Sequence, residues 1–504
     1  MRLDIRIASA SAMVLTLMSP LTAGAAEPED ATIAQLSPRA ANQGTVPTGR
    51  TGAEDQSPIP GNNTTGDQTL QEQSVPTSPP PRVGLFTGFG KTLIQDGIDI
   101  HGIAFDHFLG NPTAGANPGH SFNLAAFRPA ADFDLNKLIG IPGGNIHLGL
   151  TFFGLRGDTP QDIVQAGGFL TGFQTTPATE TNLLSLLTYE QRFMNGKLSV
   201  EAGRTSVFNY FLLPNSLDPF ANYSGTFVVT GDFPSTPYPV WGGRATYKFA
   251  PTWYVQGGLF EDNYAAATSY GDRLGIGRSP GAQILAEVGQ RSEFSNAAYP
   301  SNLEAGVEWN TRDGRLNLKG TGAPAIPLLQ RPNYPGGGVV FLQGEKVVWR
   351  GAGHPGSVPL APPTNIALYG ALNVSVSKPQ PIDMDATAGV ILTGFVPTRP
   401  FDALELQAKY QRLSQVEADG ESRKQLITAG RGPSQNRDGF AFEAVANLQV
   451  TPAFAIRPLV EYFVNPDNYY PPAPIPRRPR DGIEAGLFAV VSLGRLLGTS
   501  AKPF

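Results

Sequence analysis

The stretch that decides the fold runs from Leu183 to Arg204 and reads LLSLLTYEQRFMNGKLSVEAGR. Successive side chains of an extended chain point to opposite faces. Leu187, Tyr189 and Phe193 therefore share one face, and Thr188, Glu190 and Arg192 the other. Asn195-Gly196, a pair suited to the positive φ angles of a tight reversal, then turns the chain back. On the return, Leu198, Val200 and Ala202 alternate with Ser199, Glu201 and Gly203. This is a hairpin with one apolar and one charged face. A two-sheet sandwich can bury an apolar face, but here the charged face recurs along the chain. Lipid on one side of a sheet and a wet lumen on the other demand that repetition. The expected fold class is all-β, a transmembrane antiparallel β-barrel with short periplasmic turns and long external loops.

Outward from the hairpin, alternation predicts strands at 96–108, 120–135, 144–156, 183–193, 197–205, 239–249, 253–261, 281–290, 302–310, 340–350, 364–376, 387–396, 402–411, 438–448, 453–464 and 481–493. The number is even, and the lengths suit tilted strands crossing a bilayer. Leu404, Leu406, Ala408 and Tyr410 stand opposite Glu405, Gln407, Lys409 and Gln411; Leu303, Val307 and Trp309 stand opposite Glu304 and Glu308. Between them, tight connections such as 250–252 and 449–452 alternate with long ones such as 206–238 and 412–437, although 351–363 and 377–386 are both middling. An even strand count puts both termini on the periplasmic side.

Composition agrees. The chain has 504 residues, only 16% of them charged, with 58 Gly, 46 Pro and no Cys. The absence of cysteine excludes disulfides and thiolate metal sites. A net charge of −5 without a basic face excludes nucleic-acid binding. Arg2 and Arg6, the apolar run Ile7 to Leu21, and Ala23-Gly24-Ala25 read as a cleavable signal peptide over 1–25. Residues 26–81, rich in Pro, Ser, Thr and Gln, read as a disordered leader. The short segment 82–95 contains GLFTGFGKT, which superficially resembles a phosphate-binding loop. Leu85 occupies the position where the motif requires Gly, so a short helix or turn ahead of the first strand is expected instead. The barrel then spans 96–494, and 495–504 form a C-terminal tail.

The residues that could act on a solute are the charges predicted to face inward: Glu190, Arg192, Glu201, Arg244, Glu304, Glu405, Lys409, Glu443, Arg457 and Glu461, with Lys248 and Glu308 beside them. A hydroxyl-rich solute gives up hydrogen bonds to water in a constriction, and carboxylates with guanidinium groups replace them. Most such charges in any barrel only solvate the lumen and brace its wall. Phe211, Phe220, Tyr223 and Phe227 in the 206–238 connection offer stacking faces for sugar rings or, equally, the packing of a loop. Arg477, Arg478 and Arg480 belong to the last external loop, as solvated residues or contacts for lipid phosphates. His101, His107, His120, His147 and His354 have no metal-ligand spacing, no nucleophile motif is present, and no cofactor is expected.

Four separated pieces resemble the carbohydrate-selective porin family (OprB family): ADFDLNKLIGIPGGNIHLG at 131–149, LLTYEQRFMNGKLSVEAGR at 186–204, GFVPTRPFD at 394–402, and FEAVANLQVTPAFAIRPLVEYFVNP at 442–466. The resemblance covers roughly Leu85 to Gly494. It implies a sixteen-stranded outer-membrane barrel passing glucose-type sugars by facilitated diffusion, with outer-membrane lipids and the barrel-assembly machinery as its partners. The chain departs from the family in its long leader, in RRPR at 477–480, in the displacement of the aromatic after Thr451-Pro452 to Phe454, and in LLGTSAKPF before the terminal Phe504. The alternative functions are a general diffusion porin, marked by segregated rather than mixed lumen charge, and a barrel enzyme or adhesin. The particular sugar and the oligomeric state are not written in any pattern of the chain.

Overall fold

The computed structural model describes residues 86–115, 118–157, 182–211, 239–262, 281–294, 296–311, 336–351, 362–377, 382–429, 436–467 and 479–499. The expected signal peptide and leader, and Phe220, Tyr223, Phe227, His354, Arg477, Arg478 and Phe504, lie outside the described residues.

Sixteen strands close into one barrel. In order they are β1 (Ile98–Gly110), β2 (Ser121–Asp134), β3 (Gly144–Gly157), β4 (Asn182–Phe193), β5 (Leu198–Thr205), β6 (Val240–Ala250), β7 (Trp253–Glu261), β8 (Ala282–Arg291), β9 (Ser301–Asn310), β10 (Gly338–Arg350), β11 (Asn365–Ser375), β12 (Ile382–Thr393), β13 (Ala403–Leu413), β14 (Asp438–Thr451), β15 (Phe454–Val464) and β16 (Gly482–Ser492). Each pairs antiparallel with its sequence neighbours, and β1 pairs with β16, so no edge is left open. Closure is the condition for a sheet to cross hydrocarbon, where an unpaired N–H or C=O has no water to turn to.

The hairpin sets the register as its pattern demands. Leu187 faces Arg204 and Phe193 faces Leu198 across the β4–β5 pair. The reversal occupies Met194 to Lys197, with Met194, Asn195 and Gly196 all at positive φ. Tyr189, Val200, Leu303, Val307, Trp309, Leu404, Leu406, Phe442 and Tyr462 are exposed on the outer face, whereas Glu190, Glu201, Glu304, Glu405, Lys409, Glu443 and Glu461 are buried on the inner one. That is the lipid-facing and lumen-facing division of a membrane barrel.

Four α-helices and a 3-10 turn (Val207–Asn209) complete the described elements; the helices are α1 (Thr87–Gln95), α2 (Leu135–Ile139), α3 (Gln415–Ala429) and α4 (Leu493–Leu497). α1 is the short helix expected ahead of the first strand. α4 begins where Ser492 caps it and stops at Gly498, whose φ is 71°. β16 pairs with β1 only from Ile103 onward, which leaves the first residues of β1 bare on that side. The C-terminal segment covers them: the Thr499 hydroxyl donates to the Ile100 carbonyl, and the Phe86 N–H donates to Leu496 O at 3.3 Å. Arg495 Nη1 reaches Pro452 O at 2.7 Å, fastening the same segment to the β14–β15 turn.

Two connections depart from the expected alternation. At the end carrying both described terminal segments, 351–364 is long, and at the opposite end 376–381 is short. The second follows from β12, which begins at Ile382 rather than 387. Arg480 is tied to the first loop by paired backbone bonds with Gly115, at 2.9 and 3.0 Å.

Candidate functional site: the charged inner wall

The inner face of β4 and β5 places Glu190 directly opposite Glu201. Like charges in that relation repel, so each needs its own compensation. Glu190 takes Arg192 Nη2 at 2.8 Å, His147 Nε2 at 3.6 Å and the Ser199 hydroxyl. Glu201 takes Arg244 Nη2 at 3.0 Å, the Thr188 hydroxyl at 2.6 Å and the Tyr210 phenol at 2.7 Å. The wall continues on either side. His147 Nδ1 lies 2.7 Å from Asp132, which also meets His101 at 3.3 Å. Arg244 Nη1 donates to Thr246, and Thr246 to Gln256 Oε1 at 3.2 Å. Gln256 Nε2 then donates to Glu287 at 2.8 Å.

Glu304 belongs to this arc. Tyr254 Oη lies 2.8 Å from Glu287 and 3.0 Å from Glu304, and Arg291 Nη2 reaches Glu304 at 2.6 Å. Tyr254 can lie so because Gly289 faces inward beneath it; a Cβ there would fall 2.2 Å from the ring. Gly389 admits Tyr369 in the same way, and the Tyr369 hydroxyl meets Glu405.

A second arc spans β13 to β16. Glu443 faces Glu461, and Glu461 faces Glu484. Lys409 Nζ bridges the first two at 3.0 and 2.8 Å, and Gln407 Nε2 donates to Glu443 at 2.8 Å. Arg457 stands apart from this row: its Nε donates to Asn447 at 2.8 Å and its guanidinium lies 5.4 Å from the centroid of Phe488. Nine of the ten residues singled out from the sequence thus fall into two arcs, and Arg457 lies outside both. Glu201, Arg244 and Glu304 join one network, with the Glu190–Arg192 pair opposite Glu201; Lys409, Glu443 and Glu461 form another, with Glu405 beside it on Tyr369. Glu308 is buried and Lys248 half-buried.

Asp132, His147, Tyr210, Tyr254, Gln256, Glu287 and Tyr369 complete the networks without having been singled out. Tyr254 and Gln256 were legible, since they alternate with Trp253 and Val255. Tyr210 carries no period to betray it, because it lies past the end of β5. Burial, and then the adjacent Glu201 carboxylate, push its phenol well above the ordinary value, so it donates as a neutral hydroxyl.

Among the described residues, no group of three or more His, Cys, Asp or Glu side chains could hold a metal ion. Chemically, the wall offers hydrogen-bond donors and acceptors in adjacent pairs, suited to holding polar groups.

The barrel is similar in fold to two solved structures of Pseudomonas putida OprB. The high-pH form gives a TM-score of 0.64 at 20% identity, covering 80% of this chain and 96% of that one. The low-pH form gives 0.50 at 14% identity, covering 82% and 100%. No curated protein matches the chain. The model of the carbohydrate-selective porin, OprB family, matches residues 122–489. A match over well over half of the chain, on a closed barrel of sixteen strands with a charged inner wall, makes the protein an outer-membrane porin that belongs to the OprB family.

Proposed function

We propose that this porin passes small neutral sugars by facilitated diffusion, and that Glu190 and Arg192 form part of its filter. The observation that carries the reading is their pairing. Arg192 keeps 29% of its side chain exposed while its Nη2 holds Glu190 at 2.8 Å. A donor group and an acceptor group side by side can replace the water around neighbouring hydroxyls, and together they add no net charge to the passage. Glu304, Glu405, Lys409, Glu443, Arg457 and Glu461 are proposed to line the same path. By the general rule for outer-membrane barrels, the end carrying both described terminal segments is periplasmic. Residues 1–25 act as a cleaved signal and 26–81 as a leader that precedes the barrel in the chain. Membrane lipids and the assembly machinery are the remaining partners.

One observation favours general diffusion instead. The wall from β10 to β16 carries more acid than base, with Glu345, Glu405, Glu443, Glu461 and Glu484 against Lys409 and Arg457, whereas Arg192, Arg244 and Arg291 each meet an acid in the arc from β4 to β9. Such a transverse field orients any polar solute. Liposome swelling separates the two readings. Under the sugar reading, monosaccharides enter several-fold faster than amino acids of matched size; equal rates would leave only general diffusion.

A further inference from the structure

The lipid-facing side of β10 carries a cation. Val339, Phe341, Gln343 and Glu345 are buried on the inner face, and Val340 and Leu342 are exposed on the outer one. Lys346 keeps the parity of Val340 and Leu342 and is exposed with them. Among the described residues one other strand cation shares that outward parity, Arg412 at the opposite end of the barrel, and it has Asp438 at 3.9 Å. The Lys346 side chain forms no hydrogen bond or ion pair among the described residues.

This lysine does not sit at the strand's edge. Val348 and Trp349, 46% and 48% exposed, follow it toward the end that carries both described terminal segments. Lys346 stands opposite Ser301 of β9 and the exposed Leu368 of β11. Leu303 leans across Gly344, where a Cβ would come 2.5 Å from Leu303 Cδ2. Apolar side chains thus lie on both sides of the ammonium along the strand. Hydrocarbon offers it no counterion, and a bare cation there is costly. A lysine escapes by laying its apolar stem along the surface and placing its head at the polar boundary.

Two aromatic rings mark that boundary. Trp349 is exposed, and so is Tyr299 in the connection before β9; such rings favour the headgroup level of a membrane. The same connection is held against the end of β10, where the Val347 N–H donates to Pro300 O at 2.9 Å. Arg350 is exposed at this rim, its Nη1 donating to Ala298 O at 3.2 Å, and it too forms no ion pair among the described residues.

We propose that Lys346 binds the phosphate of an anionic glycerophospholipid in the periplasmic leaflet, with Arg350 adding positive charge at the same rim and Trp349 and Tyr299 flanking the headgroup. Charge complementarity selects the occupant: a cation without a protein partner on a lipid-facing surface meets a lipid phosphate as its nearest anion. In a zwitterionic lipid that phosphate already has its own ammonium, so a lipid of net negative charge fits better. The leaflet follows from the reading above that places this end in the periplasm; the site does not depend on which solute passes.

The test titrates the purified barrel in detergent with phosphatidylglycerol or phosphatidylethanolamine and counts retained lipid by native mass spectrometry. Parent, Lys346→Gln, Lys346→Arg and a control in the β4–β5 turn, Lys197→Gln, are compared after each is shown to be a folded barrel by heat-dependent gel mobility. The parent should retain phosphatidylglycerol at least fivefold better than phosphatidylethanolamine. Lys346→Gln should abolish that preference, whereas Lys346→Arg and Lys197→Gln should keep it. Equal retention of the two lipids by the parent, or parent-level preference in Lys346→Gln, would overturn the proposal. So would a fall from oligomer to monomer in Lys346→Gln with its lipid preference intact, which would assign the lysine to a contact between copies of the chain. Should Lys346→Gln fail to fold, Lys346→Leu, which suits hydrocarbon, takes its place with the same outcomes. Sugar entry in liposomes should stay at the parent rate in Lys346→Gln, so the lipid site and the proposed function can fail independently.

Discussion

Arg192 and Lys409 each hold acids of one arc of the wall, and each can be tested alone. Arg192 is the half-exposed member of its pair, and Glu190 is wholly buried. Arg192→Ala leaves the Glu190 carboxylate with His147 and Ser199 only. The reversal potential in a salt gradient should therefore move toward cation selectivity, and sugar block of the current should weaken. Glu190→Ala should move the potential the other way. If both variants keep the parent's potential and sugar block, the pair braces the wall and is not a filter. Lys409 is different, because it is buried between Glu443 and Glu461. Lys409→Met removes the ammonium that both carboxylates face. Leaving a buried charge without its partner costs about 3–5 kcal/mol. Urea unfolding of the reconstituted barrel should show a loss of that order. A loss below about 1 kcal/mol would mean that the carboxylates find other compensation.

The strands divide into those whose alternation is complete and those whose alternation is interrupted. On β13, Leu404 and Leu406 are exposed while Glu405, Gln407 and Lys409 are buried, without a break. Leu406→Arg should therefore destabilise the barrel by about 2–4 kcal/mol, the price of a cation at mid-bilayer on the lipid face. Gln407→Arg, one residue on, should cost much less, and equal losses at the two sites would contradict the register. β12 is the interrupted case. Its first half alternates Asp383 and Asp385 with Met384 and Ala386, and its pairing with β13 slips between Ile382 and Met384. Weak apolar contrast with a bulge explains why periodicity places its start five residues late. At the seam, α1 and α4 meet where Gly90 leaves no room for a side chain: a Cβ would come 2.3 Å from Leu497 O. Gly90→Val should unlatch α1 and expose residues near 86–97 to protease. Conductance should stay at the parent value, since the change lies at the seam and not along the inner wall.

For the molecule as a whole, one lumen serves two charge patterns. The arc from β4 to β9 carries acids matched by Arg192, Arg244 and Arg291, whereas the arc from β13 to β16 sets Glu443, Glu461 and Glu484 against Lys409. The second arc should disfavour anions, so an anionic sugar acid should swell liposomes more slowly than a neutral sugar of the same size. Lys409→Met should widen that gap. Equal rates for the two solutes in the parent would show that the acidic arc is screened from the passage.

The barrel was legible from residue order because its cause is local. A strand between lipid and water must alternate every second residue, and that period survives in LLTYEQRF, in LELQAKYQ and in the even strand count. The inward direction of all ten candidate charges follows from the same parity. Which charges meet was a different matter. Glu201 finds Arg244 through the β5–β6 pairing, and Lys409 reaches Glu461 across β14. Both contacts depend on the stagger between strands joined by connections that follow no period. Tyr210 was hidden for the same reason: its place is set by Gln256 and Phe260 on β7, far away in sequence. Alternation is enforced residue by residue by the two solvents, whereas such contacts exist only once the sheet has closed.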